Sequence, residues 1–244
     1  MNIIISLKLW RYWLYRANLN YKLKYRKSIL GLLWPMLSLV ILTGIIGFVW
    51  GELLDKDNRT QYYLYILSGY PVWGIVSGSI EQGCRPFRPQ IDGVPFFATV
   101  LERAAIVFIP FIYVLPLIVV ASLVFHEYQP VHFIYFPATF IVLMFWVVGA
   151  ISIIITLTSW LSDLEHLISA TMRLAFLATP IIWEVERLGE YQLFVWYNPF
   201  YMPLEGLRSS LSGLYDSQAS LYVLFFCYGL GVLLLGVFLL RFRK

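Results

Sequence analysis

The stretch "YRKSILGLLWPMLSLVILTGIIGFVWG", residues 25–51, decides the fold class. From about Ile29 to Trp50 it carries no charge, and a run of roughly 20 apolar residues is what a helix needs to cross a bilayer. Basic residues precede it, and a short polar loop with Glu52, Asp55, Lys56, Asp57 and Arg59 follows. Similar apolar runs recur at about 62–79, 104–125, 133–156, 170–183 and 221–240. The whole chain agrees with this reading: 60% of its residues are hydrophobic and 13% charged, and its mean hydropathy is +0.74. Soluble domains carry about 25% charged residues. A chain this apolar cannot cover itself with polar surface, so lipid is its solvent. The expectation is an all-α membrane protein of about six transmembrane helices, with no room for a separate soluble domain.

Residues 1–27 contain seven basic residues and no acid. Ile3, Leu7, Trp10, Leu14, Ala17 and Tyr21 recur at helical steps. An apolar stripe with Trp beside Lys and Arg describes an amphipathic helix lying in the headgroup region. Its short apolar run, broken by Lys8 and Arg11, does not read as a secretory signal peptide. The connection 81–95, "EQGCRPFRPQIDGVP", is punctuated by proline and glycine and reads as a bent link. Residues 184–217 are too polar to span yet rich in aromatics. Residues 28–244 thus form one six-helix transmembrane domain. With six spans and a cytoplasmic N-terminus, the inside also receives Arg85, Arg88, Arg103, Arg173, Arg241, Arg243 and Lys244, while Lys56, Arg59, Arg187 and Arg208 fall outside. That positive-inside bias places both termini in the cytoplasm.

Several chemistries are missing. No phosphate-cradling G-x-x-x-x-G-K-[ST] loop occurs, so no nucleotide site of that kind is expected. Cys84 and Cys227 are far apart, and His126, His132 and His166 are scattered, so neither a disulfide framework nor a metal site is read from them. Cofactors and nucleic-acid partners are not expected. Titratable groups within the spans are also lacking: Glu81, Glu102, Asp163, Glu165 and Arg173 fall near span ends. Carriers driven by protons place such groups at mid-depth. A transporter without either feature needs an external energy source, and a separate ATPase subunit fits.

The abundant chemistry is aromatic: 9 Trp, 17 Tyr and 18 Phe. Tyr62, Tyr63, Tyr65, Tyr70 and Trp73 cluster along the second span. Aromatic faces stack on the apolar faces of sugar rings, and tyrosine hydroxyls bond sugar hydroxyls. Tyr62, Tyr65, Tyr70 and Trp73, with Trp34, are the candidates to line a passage.

"YRKSILGLLWPMLSLVILTGIIGFVWG" resembles the first span of type-2 ABC permeases that export O-antigen and related polysaccharides. "LSGYPVWGIVSGSIEQGC", residues 67–84, resembles their second span. "FLATPIIW", residues 176–183, and "WYNPFYMPLEGLRSSLSG", residues 196–213, resemble the fifth span and the outer segment before the last span. Together these cover nearly the whole chain. One departure stands out: "TSWLSDLEHL", residues 158–167, has Trp160 and Ser162 where the family carries arginines, and keeps only Asp163.

The resemblance implies a homodimer of permeases with two copies of a cytoplasmic ATPase, which holds ATP and Mg. It implies that the 1–27 helix and the 81–95 connection touch that ATPase, with Arg85, Pro86, Phe87, Arg88, Arg11 and Arg16 as contacts. It implies that 184–217 forms short re-entrant helices capping the outer mouth, with Trp196, Asn198, Pro199, Phe200, Glu205 and Arg208 as the gate. Lys22, Lys24, Arg26 and Lys27 would meet the anionic inner leaflet and attract the diphosphate of a polyprenyl-linked glycan. The chain is therefore expected in the bacterial inner membrane, as the transport subunit of a lipid-linked polysaccharide exporter and not an enzyme. The alternatives are a permease for a drug or small lipid, and a membrane enzyme acting on lipid-linked sugars, for which Glu184, Glu186 and Glu190 are the dense acidic group.

Overall fold

The computed structural model describes residues 3–54, 59–85, 93–124, 134–161, 163–212 and 219–242, and among them all regular structure is helical. Two helices, α1 (Ile3–Lys8) and α2 (Trp10–Lys24), open the chain. The long helices α3 (Trp34–Leu54), α4 (Arg59–Cys84), α5 (Phe96–Val124) and α6 (Phe136–Trp160) follow. Then come α7 (Leu164–Ala178), tight 3-10 turns over Val185–Tyr197, α8 (Tyr201–Ser212) and α9 (Ala219–Leu239).

Among the described residues, four segments are long and apolar enough to cross a membrane: Gly31–Val49, Phe96–Val124, Phe136–Trp160 and Ser220–Phe242. The expected count of six is therefore not confirmed, and the two remaining expected spans differ for separate reasons. Helix α7 has 15 residues, which rise only about 22 Å against a core of about 30 Å. Helix α4 is long enough at 26 residues, but it is the least apolar of the long helices. Its position explains that: α4 packs against α3, α5, α6, α7 and α8. A helix sheathed in protein needs no lipid-compatible surface. The peripheral helices show the opposite, with only 17% of the α3 window and 22% of the α9 window buried.

Helices α6 and α9 form the tightest pair. A Cβ on Gly149 would sit 2.4 Å from the Val232 carbonyl oxygen, and one on Gly236 would sit 2.4 Å from the Gly149 carbonyl oxygen. Small residues let helix backbones touch where lipid supplies no hydrophobic drive to associate them. The core clusters around Val72, Val76, Val100, Leu143, Val147, Ile151 and Leu204, all nearly inaccessible.

The stripe read from residues 1–27 divides. Ala17 and Tyr21 are buried against α5, whereas Leu7, Trp10 and Leu14 stay exposed. Tyr21 stacks on Tyr113 at 6.0 Å. Glu102 of α5 accepts from Asn20 at 2.9 Å and pairs with Arg16 at 3.1 Å. The hydrogen bond to Tyr12, and secondarily Glu102, raise the Arg16 pKa above its usual value against the opposing pull of burial.

Candidate functional site

Helix α4 carries two stripes about a quarter-turn apart. Tyr62, Tyr65, Gly69 and Trp73 follow one another at steps of three and four, as do Tyr70, Gly74, Ser77 and Glu81 beside them. Each stripe meets a different structure.

The first stripe meets the end of α7. That helix stops at Ala178, because Thr179 turns extended (φ −98°, ψ 138°) and Pro180 follows. The break exposes a run of carbonyls, and such backbone is tolerated at membrane depth only where protein or water satisfies it. Here protein does. Asn198 donates to Ala178 O at 3.2 Å and Thr179 Oγ1 at 2.9 Å, and Trp183 Nε1 donates to Leu177 O at 3.0 Å. Tyr62 donates to Ile182 O at 2.6 Å. The Tyr65 hydroxyl lies 2.8 Å from both Pro180 O and Trp183 O, with one proton to give. Arg208 of α8 donates to Pro180 O at 2.6 Å. It also pairs with Glu205 one turn earlier and stacks over the Tyr65 ring at 4.0 Å. Arg208 is 1% exposed and Glu205 6%, so this is an ion pair removed from solvent. Gly69 is small for a reason: a Cβ there would press to 3.3 Å of the Arg208 chain.

The second stripe is open. Tyr70, Trp73 and Trp34 border one cavity of about 600 Å³ between α3, α4 and α5, with Lys24 and Phe176 also on its wall. Trp73, Ser77 and Phe176 also border a second cavity of about 600 Å³, between α4 and α7, where Glu81 and Arg173 stand. The two form one groove along α4, narrowed where Trp73 meets Phe176 at 6.0 Å and Phe200 at 5.9 Å.

The sequence-derived candidates are thus sorted. Trp34, Tyr70 and Trp73 share the first cavity, while Tyr62 and Tyr65, each 1% exposed, face the broken backbone instead. Lys22, Lys24, Arg26 and Lys27 are all exposed, and the last three with Leu23 edge a hollow of about 590 Å³. Arg11 and Arg85 are exposed, with Arg11 over the Trp10 ring, and Arg16 is held by Glu102. Pro86, Phe87 and Arg88 lie outside the described residues. The residues grouped in 196–208 converge: Trp196 packs on Tyr201, Pro199 O accepts from Tyr228 of α9, Phe200 meets Trp73, and Asn198, Glu205 and Arg208 join the carbonyl cluster. Glu184 pairs with Arg187 at 3.3 Å. Trp160 donates to Phe242 O at 3.0 Å, tying the end of α6 to the end of α9.

No family model matches the chain. Over 176 residues, 69% of its length, it is 25% identical to the O-antigen export system permease protein RfbA of Myxococcus xanthus, spanning 66% of that protein. Over 192 residues, 75% of its length, it is 23% identical to the O-antigen export system permease protein RfbA of Klebsiella pneumoniae, spanning 73% of that protein. Both of these relatives are permeases of O-antigen export systems. Against this permease likeness, sequence reading found the aromatic stripe and the 196–208 segment, but not their division of labour. In the sequence alone, Arg173 and Glu81 read only as charges near span ends. Their facing positions depend on how α7 packs on α4, which no local spacing encodes.

Proposed function

We propose that this chain is the membrane permease of an ABC exporter that moves a lipid-linked polysaccharide across the bacterial inner membrane. Two copies would work with two copies of a cytoplasmic ATPase, which supplies the nucleotide site. The observation that carries the reading is the open groove along α4, walled by Trp34, Tyr70, Trp73 and Phe176. Aromatic walls offer a sugar chain weak, repeated contacts of the kind a sliding polymer needs. Few charges line the aromatic half, so no tight ionic binding would hold the cargo back. The names of the two relatives point the same way.

In this reading both termini face the cytoplasm, where the basic 22–27 cluster meets anionic lipid and the cargo's diphosphate. Arg11 and Arg85, both exposed, face the ATPase. The 184–217 segment caps the opposite mouth, and its Asn198 and Arg208 tie it to the carbonyls at the end of α7. Deletion of the gene is expected to leave lipid-linked glycan inside the cell and strip it from the surface. Tagged chain is expected to co-purify with a stoichiometric ATPase. Normal surface glycan after deletion, or purification with no ATPase, would overturn the proposal.

A further inference from the structure

The second cavity differs in chemistry from the aromatic half it adjoins. Glu81 on α4 and Arg173 on α7 stand on its two sides. Both are exposed, and neither has an ion-pair or hydrogen-bond partner among the described residues. Ser77 and Ser169 add two hydroxyls, and Trp73 with Phe176 closes the end. Ser77 gives its proton to Trp73 O at 2.9 Å, which leaves its oxygen free to accept.

These groups complement a sugar ring. A carboxylate accepts from two hydroxyls at once, and a guanidinium donates through a planar fork. Vicinal hydroxyls on a pyranose both donate and accept, so one ring can engage the two walls together. The ring's C–H face then meets the aromatic end. A cavity of about 600 Å³ lies within the range of small-ligand sites. Glu81 and, beside Cys84, Glu165 outnumber Arg173 around the chamber, so a neutral ring is favoured over an anionic one. The shared wall of Trp73, Ser77 and Phe176 means that a ring leaving this chamber passes directly along Tyr70 and Trp34.

We infer that the groove between Glu81 and Arg173 is a binding subsite for an uncharged pyranose ring, and that this pair selects the sugar handed to the aromatic face. The inference rests on the export reading and adds to it a place where cargo is recognised. The full chain in lipid nanodiscs, with its ATPase bound, is titrated with neutral trisaccharides (malto-, manno- and galacto-) and with trigalacturonic acid. Saturable binding of at least one neutral trisaccharide is expected, at least about tenfold tighter than the acid. Glu81→Gln and Arg173→Gln should each weaken it about tenfold, the smaller loss for a charged hydrogen bond. Arg173→Lys should recover only part, because it keeps the charge without the fork. Glu81→Gln should also shift preference toward trigalacturonic acid, and Arg173→Gln should not; a purely structural role would not produce that asymmetry. Equal binding by wild type and both variants, no neutral binding, or equal binding of the acid would overturn the subsite. In cells, glycan lost on gene deletion but exported normally by the Glu81→Gln/Arg173→Gln double variant would overturn the subsite alone. Unchanged glycan on deletion would overturn the export reading, and the titration would still decide the subsite.

Discussion

Arg208→Leu removes one member of a charge pair buried beneath α8. Glu205, 6% exposed, would then stay in a poorly solvated place without its partner, which costs about 3–5 kcal/mol. A second loss comes from the helix break. Tyr65 has a single proton and stands 2.8 Å from both Pro180 O and Trp183 O. Without Arg208, one of those carbonyls goes unsatisfied, at about 1–3 kcal/mol. The two losses arise from one side chain and neighbouring groups, so they do not add in full, and the expected total is about 4 kcal/mol. That is a large share of the roughly 5–15 kcal/mol by which proteins are stable. The Glu205→Leu/Arg208→Leu double variant removes the stranded charge and leaves only the carbonyl loss. It should therefore be more stable than the single variant, an outcome opposite to additive damage. Denaturant unfolding of the purified full chain in mixed micelles, followed by tryptophan fluorescence, measures both. A single variant within about 1 kcal/mol of wild type, or a double variant less stable than the single, would refute the reasoning.

Two further outcomes follow from contacts elsewhere. Gly149→Val should lower the unfolding midpoint and part α6 from α9, since even the first added carbon would stand 2.4 Å from Val232 O; overpacking costs about 1–3 kcal/mol, and an unchanged midpoint would contradict the close seam. Glu102→Leu should release α2 to chymotrypsin more than Arg16→Gln does, because Glu102 serves both Arg16 and Asn20 while a partly exposed arginine contributes only about 0–1 kcal/mol; equal cleavage of both variants would contradict it.

The peripheral helices were legible because lipid imposes one rule on every exposed position. Helices α3 and α9 obey it, and the more buried α5 and α6 also read directly as apolar runs. Helix α4 was recognised despite Ser68, Ser77, Ser79 and its tyrosines, but its polarity invited the idea that the whole aromatic set lines a passage. The structure gives Tyr62 and Tyr65 carbonyl partners on a segment more than a hundred residues away. Such pairing depends on how α7 ends, and α7 itself was misjudged in extent. The apolar run 170–183 reads as a span, whereas the helix starts at Leu164 and stops at the Thr179–Pro180 break. Gly149 and Gly236 carried no signal for a similar reason. A glycine at a helix contact is informative only once the opposing backbone is known.

The two stripes of α4 are mechanically joined through α7. Phe176 and Arg173 wall the groove, and a few residues later the same helix ends in carbonyls held by Tyr62, Tyr65, Arg208 and Asn198. Widening the groove requires α7 to move away from α4. The end of α7 cannot follow freely, because four donors from α4, α8 and the turn before α8 grip it there. Buried polar groups at a helix break are costly unless they find partners, and here Tyr62, Tyr65, Asn198 and Arg208 supply donors to it. The polarity that weakens α4 as a lipid-facing span is thus what fixes the end of α7.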